Sequence, residues 1–461
     1  MVQNFEGRLT DRLTSTDAMI AVFSPSATVQ RMLDIEAALA RALAACGVIP
    51  ATAVDSIEAA CHADRIDADA LTEAAARAGN LAIPLVKQLT ALVASSSPEA
   101  AKYVHWGATS QDIIDTGMIL QLRDALAAIE AQLGTLSAAL ARQAERHRST
   151  PMVGRTWLQQ ALPITLGLKF AQSLDAIERH RTRLAQLRAR ALVVQFGGAA
   201  GTLASLGERA DAVAQALARD LQLPLPAIPW HTHRDRIAEI ATVLGLVTGT
   251  LGKIARDVSL QMQTEIGEVA EPSGAGKGGS STMPHKRNPV GCAAVLSAAA
   301  RTPGLVATML AGMVQEHERA LGGWQAEWET LPDIVRLCAG AVAQATEIVD
   351  GLEIDTGRLA TNLDATRGLI LAEAIMLALG ETMGRLEAHH LVEHASKEAV
   401  ASGRSLREVL ATNVEVTKQL STERLDALFD PANYSGRAEA FVDAVLDAFR
   451  TRKPNWSSDQ P

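Results

Sequence analysis

From Ile119 onward the apolar residues Ile119, Leu122, Leu126, Ile129, Leu133, Leu136 and Leu140 recur at steps of alternately three and four. That is the heptad period of one helix face packed against other helices. Three heptads make a helix of about 30 Å, at ~1.5 Å per residue. A helix that long cannot bury itself in a small domain. It implies a bundle, and the seam is expected to be shared between subunits. Phe170, Leu174, Ile177, Leu184 and Leu187 mark a second long helix, and others fit residues 236–266, 290–313 and 333–349. Val29, Met32, Leu33, Ala40 and Leu43 share a face of an earlier helix, and residues 83–94 form another, with Pro84 in its first turn. Hydrophobic residues make up 48% of the chain but aromatics only 3%, so the apolar content is aliphatic and suits closely packed helices. The expected fold is all-α, with three helical domains: 1–110, a central long-helix bundle at 111–354 and a C-terminal unit at 355–461.

Charge and cysteine usage exclude several classes. A net charge of −9 argues against a general nucleic-acid binder. Cys46, Cys61, Cys292 and Cys338 show no metal spacing and are expected to be reduced and buried, as in a cytosolic protein. No run of about 18 apolar residues suggests a membrane span. Residues 1–12 carry both signs of charge and no apolar segment, unlike a secretory signal, so a cytoplasmic enzyme is expected. The polar tail after Lys453 is expected to be disordered. His231 with His233, and His390 with His394, are the nearest approach to metal ligands; neither has the third ligand or the H-E-x-x-H order of a zinc site, so no metal is expected.

The functional signal is concentrated at residues 273–289, with four glycines and two prolines between stretches of helical pattern. A long polar loop in a helical protein is usually functional. The P-loop pattern fails, because Lys277 is followed by Gly278. A dinucleotide fingerprint needs a preceding strand, and the residues before this loop read as helix. What remains is a catalytic loop, in which Ser280 and Ser281 are followed closely by Lys286, Arg287 and Asn288. Two other stretches contain polar clusters. The segment His105-Trp106-Gly107-Ala108-Thr109-Ser110-Gln111-Asp112 leads into the long seam helix, and hydroxyls and N–H groups at a helix entrance favour anions, although an N-cap without a ligand fits the spacing equally well. Gly154-Arg155-Thr156-Trp157-Leu158-Gln159-Gln160-Ala161 lies between the first two long helices. Phe196-Gly197-Gly198-Ala199-Ala200-Gly201-Thr202 reads as a close-packed turn.

Gly279-Ser280-Ser281-Thr282-Met283-Pro284-His285-Lys286-Arg287-Asn288-Pro289 resembles the signature of the fumarase/aspartase superfamily, and the G-x-T-S-x-D and Gly154–Ala161 stretches resemble its other two blocks. The resemblance implies a homotetramer whose sites draw on three subunits, acting on a small carboxylate substrate without a cofactor. It implies that Ser280 exchanges the α-carbon proton, and that Lys286 and Asn288 hold the carboxylate on which charge develops. His105, Thr109, Ser110, Thr156, Trp157, Gln159, Arg234 and Arg319 are implied substrate-binding residues. Arg155 and Arg287 are further candidates, with a surface salt bridge as the simpler reading.

One departure is informative. Adenylosuccinate and argininosuccinate lyases have a histidine where this chain has Trp157, and another lyase histidine aligns with Asn80. An amine or alcohol leaving group needs a proton donor, and tryptophan cannot be one. A carboxylate needs none. The resemblance therefore points to a cycloisomerase, in which a tricarboxylate's own carboxylate adds to its own double bond. The alternatives are an adenylosuccinate lyase-like C–N lyase and a catalytically inactive structural relative. On residue type alone, Trp157 would be a core aromatic.

Overall fold

The computed structural model describes residues 9–274, 278–279, 283 and 285–451. Ser280, Ser281 and the tail beyond Lys453 lie outside the described residues, as does most of the N-terminal stretch. The fold is all-α as expected. Its principal helices are α1 (Pro25–Ala45), α2 (Ala82–Ser96), α3 (Ser110–Arg146), α4 (Leu166–Ala191), α5 (Asp235–Gln261), α6 (Val290–Ala311), α7 (Gly323–Asp350), α8 (Ala372–Met383) and α9 (Arg385–Ser402). Sequence chemistry sets their ends. Ser24 caps α1 by accepting from the Ala27 N–H, and Pro25 occupies the first helical position, where no N–H partner is needed. Helix α7 starts before Pro332 rather than after it, and carries the proline within it. The ring costs one hydrogen bond. Buried Trp324, Leu331 and Ile334 hold the helix on either side of it.

Two compact units divide the chain, and their boundaries fall inside the long helices. The first comprises residues up to Leu133, His180–Leu251 and Ala294–Ala343; the second comprises Gly134–Arg179, Gly252–Ala293 and Gln344 onward. In the first unit α1 packs on the helix Ala210–Asp220. In the second, α8 and α9 pack together over a core that includes Ile375, Leu379, Val392 and Val409.

The seam residues Ile119 to Leu140 are each 0% exposed within the one chain. This corrects the expectation that the seam is shared between subunits: it is covered by its own chain. Both α5 and α6 have the length and hydropathy of a membrane span, although neither is an uninterrupted apolar run. In α5 the apolar window is 61% buried, as in a core helix, whereas in α6 only 33% is buried. Ala300, Pro303, Ala307 and Leu310 lie exposed along α6 at helical spacing.

The sequence reading contained no strands. The structure has a hairpin in the second unit, with β1 (Pro151–Thr156) antiparallel to β2 (Gln159–Thr165). The register is irregular between Val153 and Arg155. At Gly154, between them, a Cβ would come within 2.8 Å of the Leu162 carbonyl oxygen, so only glycine fits. Thr156 pairs with Gln159 around a two-residue turn, Trp157-Leu158, whose φ angles are 53° and 64°. Positive φ at both central residues is the turn geometry that matches strand twist. It is normally made by Asn and Gly, and costs of order 1–2 kcal/mol per ordinary residue.

Candidate active site

In the first unit, the site is built at the entrance of α3. The chain turns through residues 103–109 with His105 in the left-handed region, φ 60°. Its Nδ1 is 2.6 Å from Oε1 of Glu36, a buried residue of α1. Ser110 is the first residue of α3. Thr109 precedes it, and its N–H is not free for a ligand, because it donates to Asp112 Oδ2 at 3.0 Å. The same carboxylate, almost fully buried, accepts the N–H of Gly197 and of Gly198 at 2.9 Å each and pairs with His231 Nε2 at 2.9 Å. Asp112 thereby fastens the glycine-rich turn to the helix start. A Cβ at Gly197 would lie 2.8 Å from the His231 ring, which confirms a close-packed turn. Arg319 reaches the same place: it donates to Gln111 Oε1 at 3.3 Å and to the Ala199 carbonyl at 3.1 Å, and no carboxylate neutralises it through these bonds. The hub role of Asp112 was missed, although an acidic residue three positions after the cap is a recognisable sign of such a cap.

Arg234 requires a correction. Its side chain is 2% exposed and is enclosed by its own partners. It donates to Asp115 Oδ2 at 2.7 Å and to Glu327 Oε1 at 3.0 Å. Trp324 Nε1 donates to Asp115 at 2.9 Å, and the Trp230 ring lies 4.9 Å from the guanidinium carbon. Burial alone would lower the Arg234 pKa, but the two carboxylates carry it above its ordinary value. Burial pushes the Glu327 carboxyl up, against the pull of Arg234. This arginine is a buried tie between helices, with no donor left to face a substrate. Trp324 and Trp328, edge to face at 4.9 Å, belong to the same packing.

In the second unit, Thr156, Trp157 and Gln159 come together at the hairpin tip, all exposed. Trp157 is 97% exposed and Leu158 76%, so the tryptophan is not the core aromatic that its residue type suggests. Arg155, below the tip, is committed to buried Glu268 by a two-pronged ion pair at 2.9 and 2.6 Å.

Ser273 and Arg287, towards the two ends of the glycine-rich stretch, are tied to one carboxylate. Glu353 accepts the Ser273 N–H at 3.1 Å at one end and both Arg287 terminal nitrogens, at 2.7 and 2.9 Å, at the other. The hydrogen bond from Arg287, above all, holds the Glu353 carboxyl down at about 2. Arg287 is therefore a fastener, as the simpler reading had it. Asn288 donates its N–H to the Gly278 carbonyl at 2.9 Å; Gly278 has φ 67°, and a Cβ there would meet Asn288 O at 2.9 Å. Glu271 caps α6 by accepting from Gly291 N and Cys292 N at 3.0 and 2.7 Å. These ties shape a cavity of about 200 Å³, lined by Ser273, Gly279, Lys286 and Asn288 among others. Lys286 is exposed. No group of three or more His, Cys, Asp or Glu residues suited to a metal occurs among the described residues, His231 and His233 included.

Comparison with known proteins places the chain in a family. Residues 11–304 match the family described as lyase, and residues 368–445 match the adenylosuccinate lyase C-terminus. The chain is 59% identical over 428 residues to a 3-carboxy-cis,cis-muconate cycloisomerase of Pseudomonas aeruginosa, covering 93% of each chain. It is 55% identical to one from Bradyrhizobium diazoefficiens, covering 95% of this chain and 97% of that one. The crystal structure of a 3-carboxy-cis,cis-muconate lactonizing enzyme from Pseudomonas putida superposes with a TM-score of 0.93 at 55% identity, over 96% of this chain and 99% of that one.

Proposed function

The chain belongs to the lyase family of the fumarase/aspartase superfamily, and from that premise we propose that it is an intramolecular lyase converting 3-carboxy-cis,cis-muconate to a carboxymuconolactone, in the protocatechuate branch of the β-ketoadipate pathway. The observation that carries the reading is Trp157, which stands at the exposed tip of a hairpin where related lyases place an acid histidine. Lactonisation dispenses with that acid. One substrate carboxylate forms a C–O bond to the far carbon of a double bond conjugated with another carboxylate. The π electrons move onto that second carboxylate, which becomes doubly charged, and its α-carbon then takes a proton. Run backwards, the leaving group is a carboxylate, whose conjugate acid has a pKa of about 4, so it leaves unprotonated.

The roles follow from chemistry. Ser280 delivers the α-carbon proton and is recharged from solvent, so each turnover takes up one proton. Lys286 and Asn288 hold the carboxylate as its charge grows, where preorganised donors contribute most. A serine hydroxyl exchanges protons poorly on its own and depends on neighbouring cations and N–H groups. Thr109, Ser110, His105 and Arg319 bind carboxylates from the first unit; Thr156, Trp157 and Gln159 shape the pocket from the hairpin.

The same reading includes a homotetramer in which each site is completed by other subunits. Two observations support it. A strained turn that exposes a tryptophan and a leucine is wasteful unless it docks on something. The small apolar face of α6 is likewise uncovered within one chain. The test is an ultraviolet assay with 3-carboxymuconate and adenylosuccinate side by side, in EDTA, with sedimentation at the assay concentration. Muconate turnover by a tetramer is expected. Adenylosuccinate cleavage without muconate turnover would overturn the reaction, and an active monomer would overturn the shared site.

A further inference from the structure

Glu36 has no place in the roles described so far. It is 2% exposed on α1, and its carboxylate is turned to the His105 ring at 2.6 Å. A buried carboxylate is costly unless it is paired with a cation or a strong donor. The histidine is held in an equally deliberate way. A non-glycine residue at φ 60° is strained, and such strain persists where surrounding structure holds it for a purpose. His105 also retains solvent access, with its side chain 20% exposed against 1% for Glu36, so one edge of the ring is locked and the other is available.

We propose that Glu36 is a positioning residue that keeps His105 a cationic, carboxylate-binding group at the entrance of α3. The inference rests on the reading of this entrance as a substrate-binding surface and deepens it. Nδ1–H donates to Glu36, which leaves Nε2–H as a charge-assisted donor to an incoming carboxylate. The charged groups facing the ring are Glu36 on α1 and Asp112 on α3, both acidic. Burial pulls the His105 pKa down, but these two carboxylates and the hydrogen bond carry it above its ordinary 6.5. The pair thus presents a charge-assisted N–H donor near neutral pH without the reach of a long side chain, at a helix entrance where the Thr109 N–H is already taken by Asp112. Within this pair Glu36 touches no substrate; it acts through the histidine.

The test uses an unreactive probe, propane-1,2,3-tricarboxylate, titrated calorimetrically into the full-length enzyme at pH 5.5 and 7.5, with steady-state kinetics alongside. Glu36→Gln keeps an acceptor for Nδ1–H but removes the charge. It is expected to weaken probe binding about tenfold or more at pH 7.5, the scale of one hydrogen bond to a charged group, and to recover on acidification as His105 protonates unaided. KM should follow the same pattern, with kcat largely retained. His105→Asn, which tolerates the left-handed backbone, should weaken binding at both pH values without acid recovery. Should Glu36→Gln fail to fold, His105→Asn still decides. The proposal is overturned if wild-type protein does not bind the probe, if His105→Asn binds as tightly as wild type, or if Glu36→Gln matches wild type or is weakened equally at both pH values. Failure of the lactonisation reading would show separately, as absent muconate turnover while the probe still binds.

Discussion

Arg234→Met removes the one cation from a cluster that contains two carboxylates. Asp115 is 4% exposed and Glu327 5%, so neither can turn to water when the guanidinium is gone. Breaking a buried pair by removing one partner costs about 3–5 kcal/mol, and here two carboxylates are orphaned by a single change. Against a total stability of about 5–15 kcal/mol this is a large fraction, so a lowered unfolding midpoint and reduced soluble yield are expected. Arg234→Lys retains a charge but not the fork that serves Asp115 and Glu327 together, and should fall between the two. The pH dependence has a definite sign. Glu327 is raised above its unfolded value of 4.5, so its contribution is complete below that value and is lost as pH rises through the folded pKa. Without Arg234 the effect of burial on Glu327 is unopposed and protonation relieves it, so the deficit of Arg234→Met relative to wild type should be smaller near pH 5 than at pH 8. The assay is thermal unfolding of both variants across this range, with KM measured at a temperature where each remains folded. If Arg234→Lys leaves the midpoint unchanged while KM rises tenfold, Arg234 faces substrate after all and the buried-tie reading is wrong.

Ser280→Ala should lower kcat by about 10²–10⁴-fold with the unfolding midpoint unchanged, and Ser281→Ala should be milder; the reverse order in steady-state assays would mean the wrong serine was chosen. Glu353→Gln weakens both fastenings of the catalytic-loop segment and should cost about tenfold or more in kcat by misplacing Lys286 and Asn288, while the midpoint hardly moves because the pair is exposed. Because the Glu353 pKa is lowered from 4.5 to about 2, its fastening is complete above 4.5 and is lost only as pH falls towards 2, so wild-type activity between pH 5 and 8 should show no titration from this group. Ile129→Asp places a charge at a position with no exposure inside one chain; unfolded or aggregated protein is expected by circular dichroism, and a well-folded monomer would restore the idea that the seam belongs to the tetramer.

The sequence showed a good deal of this, for identifiable reasons. The alternating steps from Ile119 to Leu140 mark a buried face, because the period depends only on local helix geometry. They cannot say whose surface covers that face, and here it is the same chain. The hairpin was not legible. Pro151, Gly154 and Pro163 break any alternation, and Trp157-Leu158 has none of the chemistry that normally marks a two-residue turn. Arg234 was misassigned because its partners Asp115 and Glu327 are 119 and 93 residues away in sequence, and no local pattern reports such a meeting. The loop at 273–289 was easier to read, since its glycines, serines and basic residues are contiguous and their types alone restrict the chemistry.

The fate of the basic residues bears on the substrate. Arg155, Arg234 and Arg287 are each committed to carboxylates of the protein: Glu268, Asp115 with Glu327, and Glu353. Three cationic candidates are left with capacity for an incoming anion. Arg319 donates to the neutral oxygens of Gln111 and Ala199, Lys286 lines a cavity beside Asn288, and His105 keeps its Nε2 edge. A substrate with three carboxylates calls for about that number, because a carboxylate taken from water into a site without a matched cation or strong donor loses more hydration than it regains. A general acid would add a proton that a carboxylate nucleophile does not need and would compete with it for the same position. An exposed tryptophan at the hairpin tip adds no charge and no proton. What it can contribute on docking is an apolar wall that excludes water, and exclusion of water strengthens every remaining cation–carboxylate contact.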